Sequence, residues 1–238
     1  MFQRLTELLR AIKLLEPVEL LEPVEPLTCI MFYLVRIPWI IKKYYPECTW
    51  DIKGPGKTIY LTFDDGPHPI VTPYVLEQLR QYKAKATFFC IGKNVAEHFD
   101  VYKQIIEEGH AVGNHTYDHL NGWKTSTEKY LKNISKAKKI IDSDLFRPPY
   151  GRITKFQLKN IIGDHYRFKP VMWSVLSGDF DKMISAEECY LAVVRNAKAG
   201  SIVVFHDSDK AYGRLHDALP RVLKYFTDEG YSFSSISL

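Results

Sequence analysis

From Lys57 onward, short β-rich runs alternate with runs of helical spacing, and this alternation constrains the fold more than any other feature. TIYLTF (58–63) is followed by helical spacing over 71–82, ATFFCI (86–91) by a helix over 95–108, and HAVGNH (110–115) by a Lys-rich helix over 126–141. The pattern continues through LFRPP (145–149), a helix over 154–162, a strand FKPVMWSV (168–175) and a helix over 185–197. It ends with SIVVFH (201–206), a helix over 218–229 and a last strand YSFSSI (231–236). Repeated β-then-α units build a parallel sheet, open or closed, with helices packed outside it. The chain's 238 residues leave room for one large α/β domain or two small ones.

Polar clusters fall at the carboxyl ends of successive strands: Asp64-Asp65, His115, Arg147, Asp179 and His206-Asp207. In parallel α/β folds the strand ends and the loops after them form the active face. Adjacent aspartates at a strand end can turn in different directions, one toward a cation and one toward a proton. The following Gly66-Pro67 is equally turn chemistry, so a surface turn is the plain alternative. In HTYDH, a helical turn would place His115 and His119 on one face, a zinc-ligand spacing that leaves room for a carboxylate and water. Two solvent-facing histidines would give the same string, with Asp118 either a supporting partner or exposed. RPPYG sets Arg147 beside a stiff turn, where it can hold a carboxylate by a bidentate pair or brace a loop. The rigid turn can aim a backbone N–H at an oxyanion. His206 ends an apolar strand and is a candidate general acid, with Asp179 as the carboxylate that keeps it protonated. A buried structural histidine is the alternative.

Taken together, TFDDGP, HTYDH, RPPYG, WSVLSGDFD and IVVFHDS resemble, in order and approximate spacing, the five motifs of the polysaccharide deacetylases, the NodB homology domains of carbohydrate esterase family 4. The resemblance runs from about Lys57 to the C-terminus. It implies a distorted (β/α) barrel, often with seven strands, and a metal-dependent hydrolase that removes acetyl groups from an N-acetylated polysaccharide such as peptidoglycan or a chitin-like oligomer. By resemblance Asp64 is the general base, and Asp65, His115 and His119 ligate a divalent ion, Zn²⁺ first, with Co²⁺ or another ion as alternatives. Arg147 orients Asp64, and His206 is the general acid tuned by Asp179. Pro149, Tyr150, Trp173 and Val204 belong to the oxyanion and substrate-binding set. The chain departs from the pattern at Phe180, where the family usually has tryptophan, at Leu176 or Ser177, where an aspartate is frequent, and at Val204, usually leucine. Every charged role stays filled, so activity with an altered groove is expected. A metal-binding pseudoenzyme or carbohydrate-binding module, and a hydrolase of a small non-glycan amide, are the rival readings. Phosphoryl transfer lacks a phosphate-cradling glycine loop.

Upstream of this region the unit LLEPVE occurs twice in tandem (14–19 and 20–25), and prolines at 17, 23 and 26 exclude a continuous helix there. Residues 1–30 read as a low-complexity extension, 31–56 as a lead-in segment packed on the barrel, and 57–238 as the deacetylase domain. The apolar run over 29–41 is shorter than the about 20 residues that span a bilayer, and Arg36 and Pro38 interrupt it. An interfacial anchor over 29–45, with Arg36, Lys42 and Lys43 beside Trp39, Tyr44 and Tyr45, is its second reading. The first 15 residues carry charges throughout, unlike a secretion signal, so a cytoplasmic or peripherally membrane-associated monomer is expected. Four cysteines without a CxxC pair read as reduced structural thiols. The net charge of +4, without a Lys/Arg block, argues against nucleic acid as a partner.

Overall fold

The computed structural model describes residues 34–54, 56–164 and 166–238. The tandem LLEPVE segment lies outside them. The chain divides into units 1–34 and 35–238, and the elements below belong to the second.

The strands are β1 (Thr58–Asp64), β2 (Thr87–Cys90), β3 (Ala111–Asn114), β4 (Leu145–Phe146), β5 (Lys169–Pro170), β6 (Val175–Leu176), β7 (Ile202–His206) and β8 (Ser232–Phe233). Their order is β5-β4-β3-β2-β1-β7-β6, with β8 added beside the start of β1, and every pairing between them is parallel. This seven-stranded curled sheet is the expected distorted (β/α) barrel, opened between its edges β5 and β6. Helices α1 (Trp39–Tyr44), α2 (Val71–Gln81), α3 (Gly92–Glu97), α4 (Phe99–Glu107), α5 (Thr127–Lys138), α6 (Lys155–Ile162), α7 (Ala186–Val194) and α8 (Asp209–Asp228) fill the connections.

The two-residue period of a strand explains the layering. In β1, Ile59, Leu61 and Phe63 join the large core shared with Val75, Leu79, Leu219 and Val222 of the surrounding helices. The alternate residues Tyr60, Thr62 and Asp64 face the other side, where Phe89, Leu145, Val171, Ile202 and Ile236 form an inner cluster. α6 and α7 begin with complete capping boxes, Thr154 with Gln157 and Ser185 with Glu188, which satisfy backbone groups that a helix end leaves bare.

Residues 35–52 run along the open seam. Leu176 N–H donates to Val35 O and Ile37 N–H to Ser174 O beside β6, while Thr49 N–H donates to Pro170 O and Met172 N–H to Thr49 O beside β5. Ile37, Ile41, Tyr45, Cys48 and Trp50 join a cluster with Phe146, Ile153, Phe168 and Met172, and Trp39 stays exposed. No described helix is long and apolar enough to cross a membrane.

Three elements differ from the sequence expectation. The helix expected over 95–108 is two helices, broken at His98. The strand expected over 168–175 is two short strands on opposite edges, because the carbonyls of Val171 and Met172 turn to the Arg147 guanidinium instead of a ladder. The helix expected from 218 begins at Asp209 and contains Pro220. Proline frees the carbonyl four residues back, and the Tyr74 hydroxyl donates to that His216 carbonyl at 2.6 Å.

Candidate active site

β1 and β7 run in register, so Asp64 and His206 are direct neighbours across the ladder at the barrel mouth. Asp64 is buried and accepts from Arg147 Nη1 at 2.6 Å. The same nitrogen donates to Thr62 Oγ1 (2.7 Å), Nε to Val171 O (3.2 Å) and Nη2 to Met172 O (2.9 Å). The guanidinium lies over the Phe89 ring at 4.1 Å. Its contact with Asp64 is therefore a single hydrogen bond and not a bidentate pair, since Nε and Nη2 turn to the Val171 and Met172 carbonyls. Burial lowers the Arg147 pKa and Asp64 opposes that shift. Arg147 is fully buried and braces both the carboxylate and the irregular backbone after β5.

Asp65 turns away from its neighbour through a left-handed backbone, φ 81°, which costs a residue with a Cβ about 1–2 kcal/mol. Its Oδ1 lies 3.1 Å from His119 Nε2 and 3.7 Å from His115 Nε2, is itself buried, and accepts no well-aligned hydrogen bond. Burial opposes the charge on Asp65, but the imidazoles of His119, His206 and His115 hold its carboxyl below the usual range. His115 Nδ1 sits 2.8 Å from Arg147 O, a contact that places the proton on Nδ1 and leaves Nε2 with a free lone pair. Burial pushes His115 down to about 4, with help from His119 and Arg147, so the ring is neutral at pH 7, as ligation requires.

The His115–His119 pair is not made by a helix. Thr116 (φ 64°) and His119 (φ 55°) are both left-handed, and the loop between them is irregular. Asn133 holds it from α5, accepting from the N–H groups of Tyr117 and Asp118 and donating to the Asp118 carboxylate. The two rings end 5.1 Å apart. Ligand atoms of Asp65, His115 and His119 all lie within 4.8 Å of one another. A buried oxygen without a partner, facing two imidazole nitrogens, is a donor set that fits a divalent ion.

His206 Nδ1 contacts Asp179 Oδ1 at 2.7 Å, and the His206 N–H donates to Asp179 Oδ2 at 2.7 Å. Burial opposes a charge on His206, but Asp179, with Asp65 and Asp64, outweighs it and raises the ring to about 9. Ser177 Oγ donates to Asp179 Oδ1 at 3.0 Å, so the serine in the departed fourth motif supports the carboxylate. Phe180 sits edge-on to His206 at 5.2 Å.

Tyr150 is left-handed (φ 60°) and exposed, with its ring 4.6 Å from that of His119. Pro149 is buried beneath it. The Trp173 ring lies against Gly151, where a Cβ would come within 2.6 Å of it. Val204 is buried, one pleat below His206 on the same face of β7. The structure thus gathers Asp64, Asp65, His115, His119, Arg147, Asp179 and His206 at one mouth. Sequence reasoning gave no part to Thr62, Asn94, Asn133 or Arg214, and named Asp207 only within the His206-Asp207 cluster and Ser177 only as a departure from the family pattern. Arg214 donates to the Asp179 carbonyl at 2.6 Å from α8.

The family model described as polysaccharide deacetylase matches residues 51–163. A peptidoglycan-N-acetylglucosamine deacetylase of Bacillus cereus is 38% identical over 195 residues, covering 79% of this chain and 91% of the relative. The chain belongs to the polysaccharide deacetylase family. A chitooligosaccharide deacetylase of Azorhizobium caulinodans is 40% identical over 157 residues, 63% of this chain and 73% of that one. The solved structure of a peptidoglycan N-acetylglucosamine deacetylase in complex with a naphthalenyl N-oxidanyl-benzamide superposes with a TM-score of 0.75 at 32% identity, over 84% and 95% of the two chains. As a polysaccharide deacetylase, the protein is a hydrolase of linear amide carbon–nitrogen bonds.

Proposed function

We propose that the protein removes acetyl groups from N-acetylglucosamine units of a glycan of the peptidoglycan or chitin-oligomer type, using a divalent ion, Zn²⁺ in the first instance. The observation that carries the mechanism is the register of Asp64 beside His206, one residue from the Asp65–His115–His119 donors. Asp65, His115 and His119 would hold the ion, which supplies Lewis acidity toward the acetyl oxygen and the attacking water. Asp64, oriented by Arg147, accepts the proton of that water. The water oxygen bonds to the acetyl carbon, and the backbone N–H at Tyr150 helps hold the resulting oxyanion. His206, kept protonated by Asp179, gives its proton to the sugar nitrogen as the C–N bond breaks. Acetate and a free amino sugar leave. Val204 and Trp173 shape the space for the acetyl group and the sugar, and valine in place of leucine leaves that space larger.

The test is acetate release by the Zn²⁺-loaded protein from N-acetylglucosamine oligomers, peptidoglycan and acetylated xylan. Release from the first two with little from xylan supports the reading. Turnover on a small amide alone would replace it, and Zn²⁺ binding without turnover on any substrate would make this a binding protein.

A further inference from the structure

The turn that carries Asp65 is held at four of its backbone groups. Asp64 O accepts from Asp207 N–H at 3.1 Å, and Gly66 O accepts from Ile91 N–H at 2.9 Å. Asp65 O accepts from Asn94 Nδ2 at 2.7 Å, and Gly66 N–H donates to Asp207 Oδ1 at 3.0 Å. The peptide joining Asp65 to Gly66 is therefore gripped on its oxygen by a side chain of α3 and on its nitrogen by one that follows β7. The second oxygen of Asp207 accepts from Thr72 Oγ1 at 2.5 Å, and that hydroxyl accepts from His68 N–H at 2.8 Å. Asp207 is fully buried, and a Cβ at position 66 would lie 2.0 Å from its Oδ2, so the carboxylate sits flush against a glycine.

The left-handed backbone of Asp65 needs such a grip. Rotation of the 65–66 peptide would swing the Asp65 carboxylate away from His115 and His119. We propose that Asn94 and Asp207 are positioning residues that lock the Asp65–Gly66 peptide and so hold the Asp65 carboxylate where it can ligate a divalent cation. The inference rests on Asp65 being a ligand. Neither residue acts on the glycan, so their loss shows in cation affinity and not in KM at saturating metal. Asp207→Asn keeps an oxygen for Gly66 N–H, and its amide can donate to Thr72 Oγ1. It serves as the conservative rescue, whereas Asp207→Leu, which fills the space without an acceptor for Gly66 N–H, should bind Zn²⁺ as weakly as the alanine variant and so separates a clamp from a space-filling role.

The full-length protein, stripped by a chelator, is titrated with Zn²⁺ in competition with a chromophoric chelator, and with Co²⁺ while its visible spectrum is followed. Wild type binds one equivalent. Asp207→Ala and Asn94→Ala weaken Zn²⁺ by about 10–100-fold and change the Co²⁺ spectrum, the range expected when a group supporting a ligand is lost. Asp207→Asn stays close to wild type. Should Asp207→Ala fail to fold, Asn94→Ala carries the test, because Asn94 is only part-buried and gives up one hydrogen bond. Unchanged Zn²⁺ affinity in either folded alanine variant overturns the clamp while leaving the ligand assignment standing. Failure of the wild type to bind Zn²⁺ overturns the ligand assignment and the clamp with it.

Discussion

Asp64 and Asp65 are chemically identical neighbours that the backbone sends to different partners, one to Arg147 in the buried interior and one to the imidazoles of His115 and His119. Their variants should separate accordingly. Asp65→Asn loses the metal and the activity together. Asp64→Asn keeps the metal and loses the proton acceptor, a fall of about 10²–10⁴ in kcat. Metal content and acetate release measured on both variants decide it, and near-normal turnover by Asp64→Asn would remove Asp64 from the chemistry. In the proposed mechanism the pair Asp179–His206 sets the pH response. His206 is protonated below its raised value of about 9, so an acid step fails as pH rises through it. A bound cation offsets the help from Asp65, which places the alkaline limb of the loaded enzyme below about 9. In Asp179→Asn the largest support of the charged ring is gone while burial still opposes it. That limb should move to lower pH and activity at pH 7 should drop. An unmoved limb would assign it to another group. The charged residues were legible in the sequence because carboxylates and histidines recur together at the ends of successive strands, although each alone has a plain structural alternative. Thr62, Asn94 and Asn133 were not, since short polar side chains occur throughout any sequence and only three-dimensional contact shows what they hold.

Among the elements, helix α8 shows why periodicity alone misplaced a boundary. Gly213 and Pro220 punctuate its sequence as helix breakers do, and the expected start at 218 falls nine residues late. The helix runs through because its apolar face, Ala211, Leu215, Ala218, Leu219, Val222, Leu223 and Phe226, is buried along its length. Tyr74 of α2 also supplies the donor that Pro220 lacks. This pair makes a double-mutant cycle. Tyr74→Phe removes one hydrogen bond and should lower stability by about 0.5–1.5 kcal/mol. In a Pro220→Ala background an N–H becomes available to His216 O, and the same substitution should cost less. Equal costs in both backgrounds, read from denaturant midpoints, would show that solvent satisfies that carbonyl equally well. The strand expected over 168–175 failed for a different reason. Its apolar run is continuous, but two of its carbonyls serve Arg147, a partner more than twenty residues away that no local pattern reveals.

For the whole molecule, the β-then-α alternation was enough to indicate a parallel, barrel-like sheet, because each unit must bury one face of a strand and one stripe of a helix. It did not reveal that the sheet stays open between β5 and β6, with residues 35–52 along the seam. That arrangement separates two deletions that look similar in the sequence. A chain starting at Met31 loses the tandem LLEPVE segment and keeps the seam. All residues assigned to the site lie between Thr62 and Arg214, and among the described residues the buried core draws on nothing before Cys48. Its melting temperature and Zn²⁺ stoichiometry should match the full chain. A chain starting at Lys53 also loses Ile37, Ile41, Cys48 and Trp50 from the cluster against Phe146 and Met172. It exposes the edges of β5 and β6, whose backbone groups then have only water or another chain to pair with. Full burial of a large apolar side chain is worth about 1.5–3 kcal/mol, so losing the buried Trp50 and Cys48 with the half-buried Ile37 and Ile41 together removes a large share of the 5–15 kcal/mol that stabilises a domain. The second deletion should therefore yield insoluble or aggregated protein. If the Met31 start were equally insoluble, the segment before it would be part of the folded body. If the Lys53 start stayed soluble with an unchanged melting temperature, the barrel would be stable without its seam.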